Sequence, residues 1–141
     1  RVIIRTGVVL SPAGGVLPLV LLPFRLFMGG RLGSGRQWFP WIHIADEVAA
    51  IRFLMESPGA EGAYNLTAPQ AVSNAEVSRV IGRVMRRPSL VPVPGFLLRL
   101  VLGEKASIVL EGQRPAPRRL LELGYAFRFP EVEGAVRDLL R

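Results

Sequence analysis

The chain has 141 residues, half of them apolar and 21% charged, and a formal net charge of +7 carried almost wholly by arginine. That composition suits one domain, or parts of two, with a real buried core. There is no cysteine and one histidine, which excludes disulfides, thiolate metal sites and cysteine nucleophiles and argues against a zinc centre.

The positive charges are scattered, with doublets only at Arg86-Arg87 and Arg118-Arg119. No basic stripe or nucleic-acid reading motif follows from that pattern, so no nucleic-acid partner is expected. The longest apolar run, residues 16–28, is interrupted by Pro18, Pro23 and Arg25 and is too short to span a bilayer. The opening residues carry no secretory cleavage pattern. With the lack of cysteine, this leads to the expectation of a cytoplasmic protein without a membrane span.

Val2-Ile3-Ile4-Arg5-Thr6-Gly7-Val8-Val9-Leu10 is rich in β-branched residues and ends in the turn Ser11-Pro12-Ala13-Gly14-Gly15. A nearly continuous apolar run predicts a strand buried on both faces, as in a parallel sheet. Such a strand needs neighbours, so the chain is expected to be part of a longer protein. Residues 16–28 read as a helix, kinked by Pro23 and ended by Gly29-Gly30.

The next stretch holds both tryptophans and the histidine: Gly33-Ser34-Gly35-Arg36-Gln37-Trp38-Phe39-Pro40-Trp41-Ile42-His43-Ile44. It predicts a turn, a short extended aromatic segment and a helix start. Residues 45–57 read as a helix with Val48, Ile51, Leu54 and Met55 on its apolar face. Asp46 and Glu47 fall in its first turn, where the helix dipole favours negative charge.

Residues 63–67 predict a short strand. Ser73-Asn74-Ala75-Glu76 is a capping box opening a helix to about Arg86, with Val77, Val80, Ile81, Val84 and Met85 inward. Pro92-Val93-Pro94 is an extended spacer. Residues 96–102 and 104–110 read as helical and residues 113–117 as a linker. Residues 118–123 form a short helix with Gly124 in the left-handed position after it. Residues 125–129 are extended, and Pro130 opens a last helix packed through Val132, Val136, Leu139 and Leu140. The alternation of strands and helices is an α/β pattern with a helical tail.

No complete catalytic set emerges from the residues alone. Gly29-Gly30-Arg31-Leu32-Gly33-Ser34-Gly35 is glycine-rich, but Trp38 stands where the third glycine of G-x-G-x-x-G would fall. It reads as a turn, or as a loop at the mouth of a pocket. A Tyr-x-x-x-Lys pair fails at both tyrosines, since Ala68 follows Tyr64 and Phe129 follows Tyr125. His43 reads as a packed, hydrogen-bonded side chain that Asp46 or Glu47 would orient. Trp38, Phe39 and Trp41 form either core or a cavity wall.

The runs Arg5-Thr6-Gly7-Val8-Val9-Leu10 and Gly33-Ser34-Gly35-Arg36-Gln37-Trp38-Phe39-Pro40-Trp41-Ile42-His43-Ile44 carry a resemblance, which continues through Tyr64-Asn65-Leu66-Thr67-Ala68-Pro69 and Gly124-Tyr125-Ala126-Phe127-Arg128-Phe129-Pro130. The chain resembles the C-terminal half of an NAD(P)-dependent "epimerase family protein" of the extended short-chain dehydrogenase/reductase superfamily, with its small C-terminal domain of unknown function. The resemblance implies residues 1–87 as the C-terminal part of a Rossmann-type domain and residues 88–141 as a small, mostly helical domain. It implies NAD or NADP as cofactor, with NADP the expected form, contacted by Thr6, Gly7, Val8 and Val9 largely through backbone.

By the same resemblance, Arg36, Gln37, Trp38, Trp41 and His43 line the side of an unknown small-molecule substrate. The glycine-rich dinucleotide loop and the Tyr-x-x-x-Lys dyad would lie upstream, leaving this segment inactive alone. The resemblance also admits a homodimer, and a non-catalytic dinucleotide-binding regulatory or interaction protein as the alternative. In sugar-nucleotide epimerases of the superfamily an arginine often precedes the aromatic-Ile-His segment. Here that region reads Trp38-Phe39-Pro40-Trp41, which implies a more apolar pocket.

Overall fold

The computed structural model describes residues 1–12, 21, 38–87 and 117–140. The expected helices over 16–28 and 96–110, the glycine-rich run 29–35, Arg36 and Gln37 lie outside the described residues, apart from Leu21, which is helical and buried.

Six strands and four helices are described: β1 (Val2–Thr6), β2 (Val8–Leu10), β3 (Trp38–Phe39), β4 (Trp41–His43), α1 (Ile44–Met55), β5 (Gly62–Leu66), β6 (Val72–Ser73), α2 (Asn74–Met85), α3 (Arg118–Glu122) and α4 (Val132–Leu139). β1 pairs with β5 in parallel, from Val2 opposite Gly62 to Thr6 opposite Leu66. β2 pairs with β4 in parallel, with Val8 opposite Trp41 and Leu10 opposite His43. β3 and β6 form a short antiparallel pair. The fold is α/β with parallel pairing, as the sequence pattern predicted.

The expected single strand over residues 2–10 is two strands that change partner at Gly7. Gly7 N–H still bonds Leu66 at the end of β5, while Val8 N–H bonds the Pro40 carbonyl between β3 and β4. Opposite residues of a parallel pair share a face. Thr6 therefore lies with Leu66, and Val9 with Ile42, on the α1 side, so the alternation slips by one residue at Gly7.

The predicted burial on both faces holds only for the second half. Val8 and Leu10 are buried, whereas Ile3 and Ile4 are 45% and 38% exposed. The reason is pairing: among the described strands, β1 has one neighbour, β5.

The sheet separates two cores. Val8, Leu10, Phe39 and Trp41 pack with Val77, Val80 and Ile81 of α2 and Val132, Ala135 and Val136 of α4. On the other side Ile42, Tyr64 and Leu66 pack with Ala50 and Leu54 of α1, Leu120 of α3 and Tyr125. Residues from both ends of the chain complete each core.

The face of α1 differs from its hydrophobic pattern. Val48 and Met55 are 53% and 81% exposed, while Asp46, Glu47, Ala50 and Leu54 are buried. Periodicity picks the most apolar face, but here bonds to buried carboxylates decide the rotation. Asp46, fully buried, accepts from the Tyr125 hydroxyl (2.7 Å) and the backbone N–H groups of Arg128 and Phe129 (both 2.9 Å). Burial, the bond to Asp46 and its charge push the Tyr125 phenol above its ordinary range.

The capping box at Ser73 and Glu76 forms as predicted, and α2 ends with Arg86 in the left-handed conformation at φ 57°. A short strand, β6, was not predicted; it pairs with the aromatic segment instead of lying in a loop.

Replacing Asp46 by Ala should strand two backbone donors and the Tyr125 hydroxyl inside the protein. The expected loss is at least about 3 kcal/mol of unfolding free energy, since each buried group left unbonded costs about 1–3 kcal/mol. Urea denaturation of wild type and the Asp46→Ala variant checks this.

Candidate functional site

In a parallel sheet, ligands gather at the carboxyl ends of strands, at the point where neighbouring strands diverge. Here that point is the Thr6-Gly7 peptide. β1 and β5 end side by side at Thr6 and Leu66, and the chain then crosses to β4. Thr6 is exposed there, Gly7 and Val9 are half-buried and Val8 is interior. Backbone and one hydroxyl are therefore what these four residues offer to a ligand.

Gly7 is required by contact. A Cβ at this position would lie 2.3 Å from the Pro40 carbonyl oxygen and 2.8 Å from Thr67 Cγ2. The glycine lets the β1–β2 strand lie directly against the aromatic segment, so the two stretches singled out from the sequence form one contiguous structure.

On the α1 side, Thr6 Oγ1 donates to Glu47 Oε1 at 2.8 Å. Glu47 is only 8% exposed. Desolvation raises its carboxyl pKa above the ordinary glutamate range, and the bond from Thr6 offsets part of that. Its second oxygen, Oε2, is buried without a hydrogen-bond partner among the described residues, as is Thr67 Oγ1.

The aromatic segment divides by exposure. Trp38 is half-buried at the start of β3, beside the undescribed Arg36 and Gln37. Phe39 and Trp41 are interior, at 2% and 0% exposure. Trp41 Nε1 donates to the Gln70 carbonyl at 3.1 Å, and Gln70 Oε1 accepts from Val132 N–H at the start of α4.

His43 is also interior, at 4%. Its Nδ1 accepts from Ala45 N–H at 2.9 Å, capping α1. An accepting Nδ1 leaves the proton of the neutral ring on Nε2, which lies 2.8 Å from Asp138 Oδ2 of α4. Phe129 stacks on the ring at 4.0 Å. The partner expected from sequence, Asp46 or Glu47, is replaced by Asp138, 95 residues away. Both ring nitrogens of His43 and the indole N–H of Trp41 are thus engaged within the protein.

Sequence reasoning missed Glu47 as a partner of Thr6, and Gln70 and Asp138 as the ties to α4. Only a capping signal was visible for any of them, because each bond spans a long loop of sequence. Among the described residues no group of three His, Cys, Asp or Glu side chains could hold a metal ion, and no helix is long and apolar enough to cross a membrane.

With this geometry in hand, comparison with known proteins gives the class. The family model described as a domain of unknown function (DUF1731) matches residues 93–139. The chain is 44% identical over 141 residues to the mouse "Epimerase family protein SDR39U1", covering 99% of this chain and 48% of that protein. It is 45% identical over 139 residues to the chloroplastic homologue of Arabidopsis thaliana, covering 99% of this chain and 40% of the relative. A crystal structure of the human protein (isoform 2) with NADPH superposes with a TM-score of 0.90 at 40% identity, covering 98% of this chain and 47% of that one.

Sequence and fold together liken the chain to part of an epimerase family protein. It is similar, in particular, to the epimerase family protein SDR39U1, and it spans about half the length of the animal relatives it matches.

Two measurements test the site. Gly7→Ala must move Pro40 or the strand, and overpacking of this kind costs about 1–3 kcal/mol; the denaturation midpoint of the variant should fall accordingly. Glu47 gives a pH signature. A carboxyl whose folded pKa is raised binds more protons folded than unfolded, so stability declines as pH rises from the ordinary glutamate range through the raised value. Denaturation of wild type and Glu47→Gln across that window should show the decline flattened in the variant.

Proposed function

We propose that the protein carrying this chain is an NADP(H)-dependent oxidoreductase or epimerase-like enzyme, and that the chain supplies its nicotinamide-side turn and the wall of its substrate pocket. The observation that carries this reading is the exposed Thr6 at the paired carboxyl ends of β1 and β5, where the strand changes partner. The human relative's structure with NADPH supports the choice of dinucleotide.

In this reading Thr6, Gly7, Val8 and Val9 hold the nicotinamide end, mainly through backbone groups. Arg36, Gln37 and Trp38 face the substrate. Trp41 and His43 form the substrate-side wall and act through position, with their polar atoms turned to Gln70 and Asp138. When bound, the dinucleotide supplies hydride chemistry. This chain's residues bind it, orient it and exclude water; the acid/base groups are to be sought outside it. Residues 1–87 complete the dinucleotide-binding domain and residues 88–141 form a small C-terminal domain. A cytoplasmic, homodimeric protein and a substrate less polar than a sugar nucleotide complete the proposal.

A second reading is a dinucleotide-binding regulatory protein without turnover. It is favoured by the interior His43, whose two ring nitrogens are both engaged.

The test is titration of the full-length protein with NADPH and NADH, followed by assays for turnover. NADPH is expected to bind more tightly than NADH, and residues 1–141 alone are expected to show no turnover with either. Binding without turnover of any carbonyl or sugar substrate would favour the regulatory reading. Absence of dinucleotide binding would overturn both.

A further inference from the structure

Glu47 has no task in the reading above, yet its placement is costly. It lies in the first turn of α1, buried, and accepts from Thr6 Oγ1 across 41 positions of sequence. Its other oxygen is buried with no partner among the described residues. A leucine or methionine would fill such a place without an unbonded oxygen, and stability alone would favour that exchange. What the carboxyl group provides, and an apolar side chain does not, is an acceptor for Thr6.

Thr6 is not an arbitrary recipient. The Thr6-Gly7 peptide is where the strand leaves β5 for β4, and it is restrained on both residues. Gly7 is pressed against the Pro40 carbonyl and Thr67, with no room for a Cβ. Thr6 is exposed and would be free to change rotamer if its hydroxyl were not held. The bond from α1 removes that freedom and, together with the Gly7 N–H bond to Leu66, holds the turn in one arrangement.

We propose that Glu47 is a positioning residue for dinucleotide binding: through the Thr6 hydroxyl it fixes the Thr6-Gly7 peptide that faces the nicotinamide end of the cofactor. The inference rests on the reading that this turn is the dinucleotide-side turn. Glu47 itself touches neither cofactor nor substrate.

The experiment is NADPH titration, followed by fluorescence, of the full-length protein as wild type, Glu47→Leu, Glu47→Gln, Thr6→Val and the Glu47→Leu/Thr6→Val double variant. Glu47→Leu and Thr6→Val should each weaken NADPH binding about tenfold, the factor that ~1.4 kcal/mol represents. The double variant should be no weaker than either single one, because the two changes remove the same bond. Glu47→Gln keeps an acceptor oxygen for Thr6 and should bind within about twofold of wild type.

Unchanged affinity in folded Thr6→Val and Glu47→Leu, or losses that add in the double variant, would overturn the proposal. So would a lowered thermal midpoint with affinity untouched, which is the signature of a purely structural role. If Glu47→Leu does not fold, Thr6→Val, altering one exposed hydroxyl, and Glu47→Gln decide the matter alone. A wild-type protein that binds no NADPH overturns the dinucleotide reading and this inference with it. Wild-type binding with indifferent variants overturns the inference only.

Discussion

The Asp46 carboxylate is the constraint on which the rest of this structure depends. It is fully buried in the first turn of α1 and takes hydrogen bonds from Tyr125, Arg128 and Phe129. A buried charge is tolerable only when its bonding capacity is met, so the segment over 125–129 must stay against α1. That docking brings Phe129 onto the His43 ring and sets α4 where Asp138 reaches His43. It also turns α1 so that Glu47 faces Thr6 while Val48 and Met55 meet solvent. One carboxylate thus ties together α1, the 125–129 segment and the His43 side of the aromatic segment.

The second organising feature is the change of partner at Gly7. A strand that served only β5 would bring no aromatic segment to the carboxyl end of the sheet. A strand that served only β4 would leave β5 unpaired among the described strands. By slipping one residue in register, the chain serves both, and the Pro40 carbonyl occupies the space that a side chain at position 7 would take. Polar and apolar contributions divide accordingly. Trp41, Phe39 and Val8 fill one core, while Glu47 and Thr67 each keep a buried oxygen that has no hydrogen-bond partner among the described residues.

Two hydrogen-bonded ties join the aromatic segment to α4. Gln70 links Trp41 to the first N–H of α4, and Asp138 links His43 to its last turn. Arg83 and Glu133 add an exposed ion pair between α2 and α4, worth little by itself. The aromatic segment is therefore tied to α4 at both Trp41 and His43.

The sequence by itself determined the α/β class, the parallel-strand character, the capping box at Ser73 and Glu76, the turn at Gly124, and the importance of two stretches, 2–10 and 33–46. Those signals are local: β-branched runs, caps and glycine spacing act within a few residues. Tertiary structure alone decided where the first strand changes partner, which face of α1 is buried, and which acid holds His43. Each of these rests on bonds between residues 32 to 95 positions apart. No periodicity encodes such pairs, because a buried carboxylate is favourable only once its distant donors have arrived.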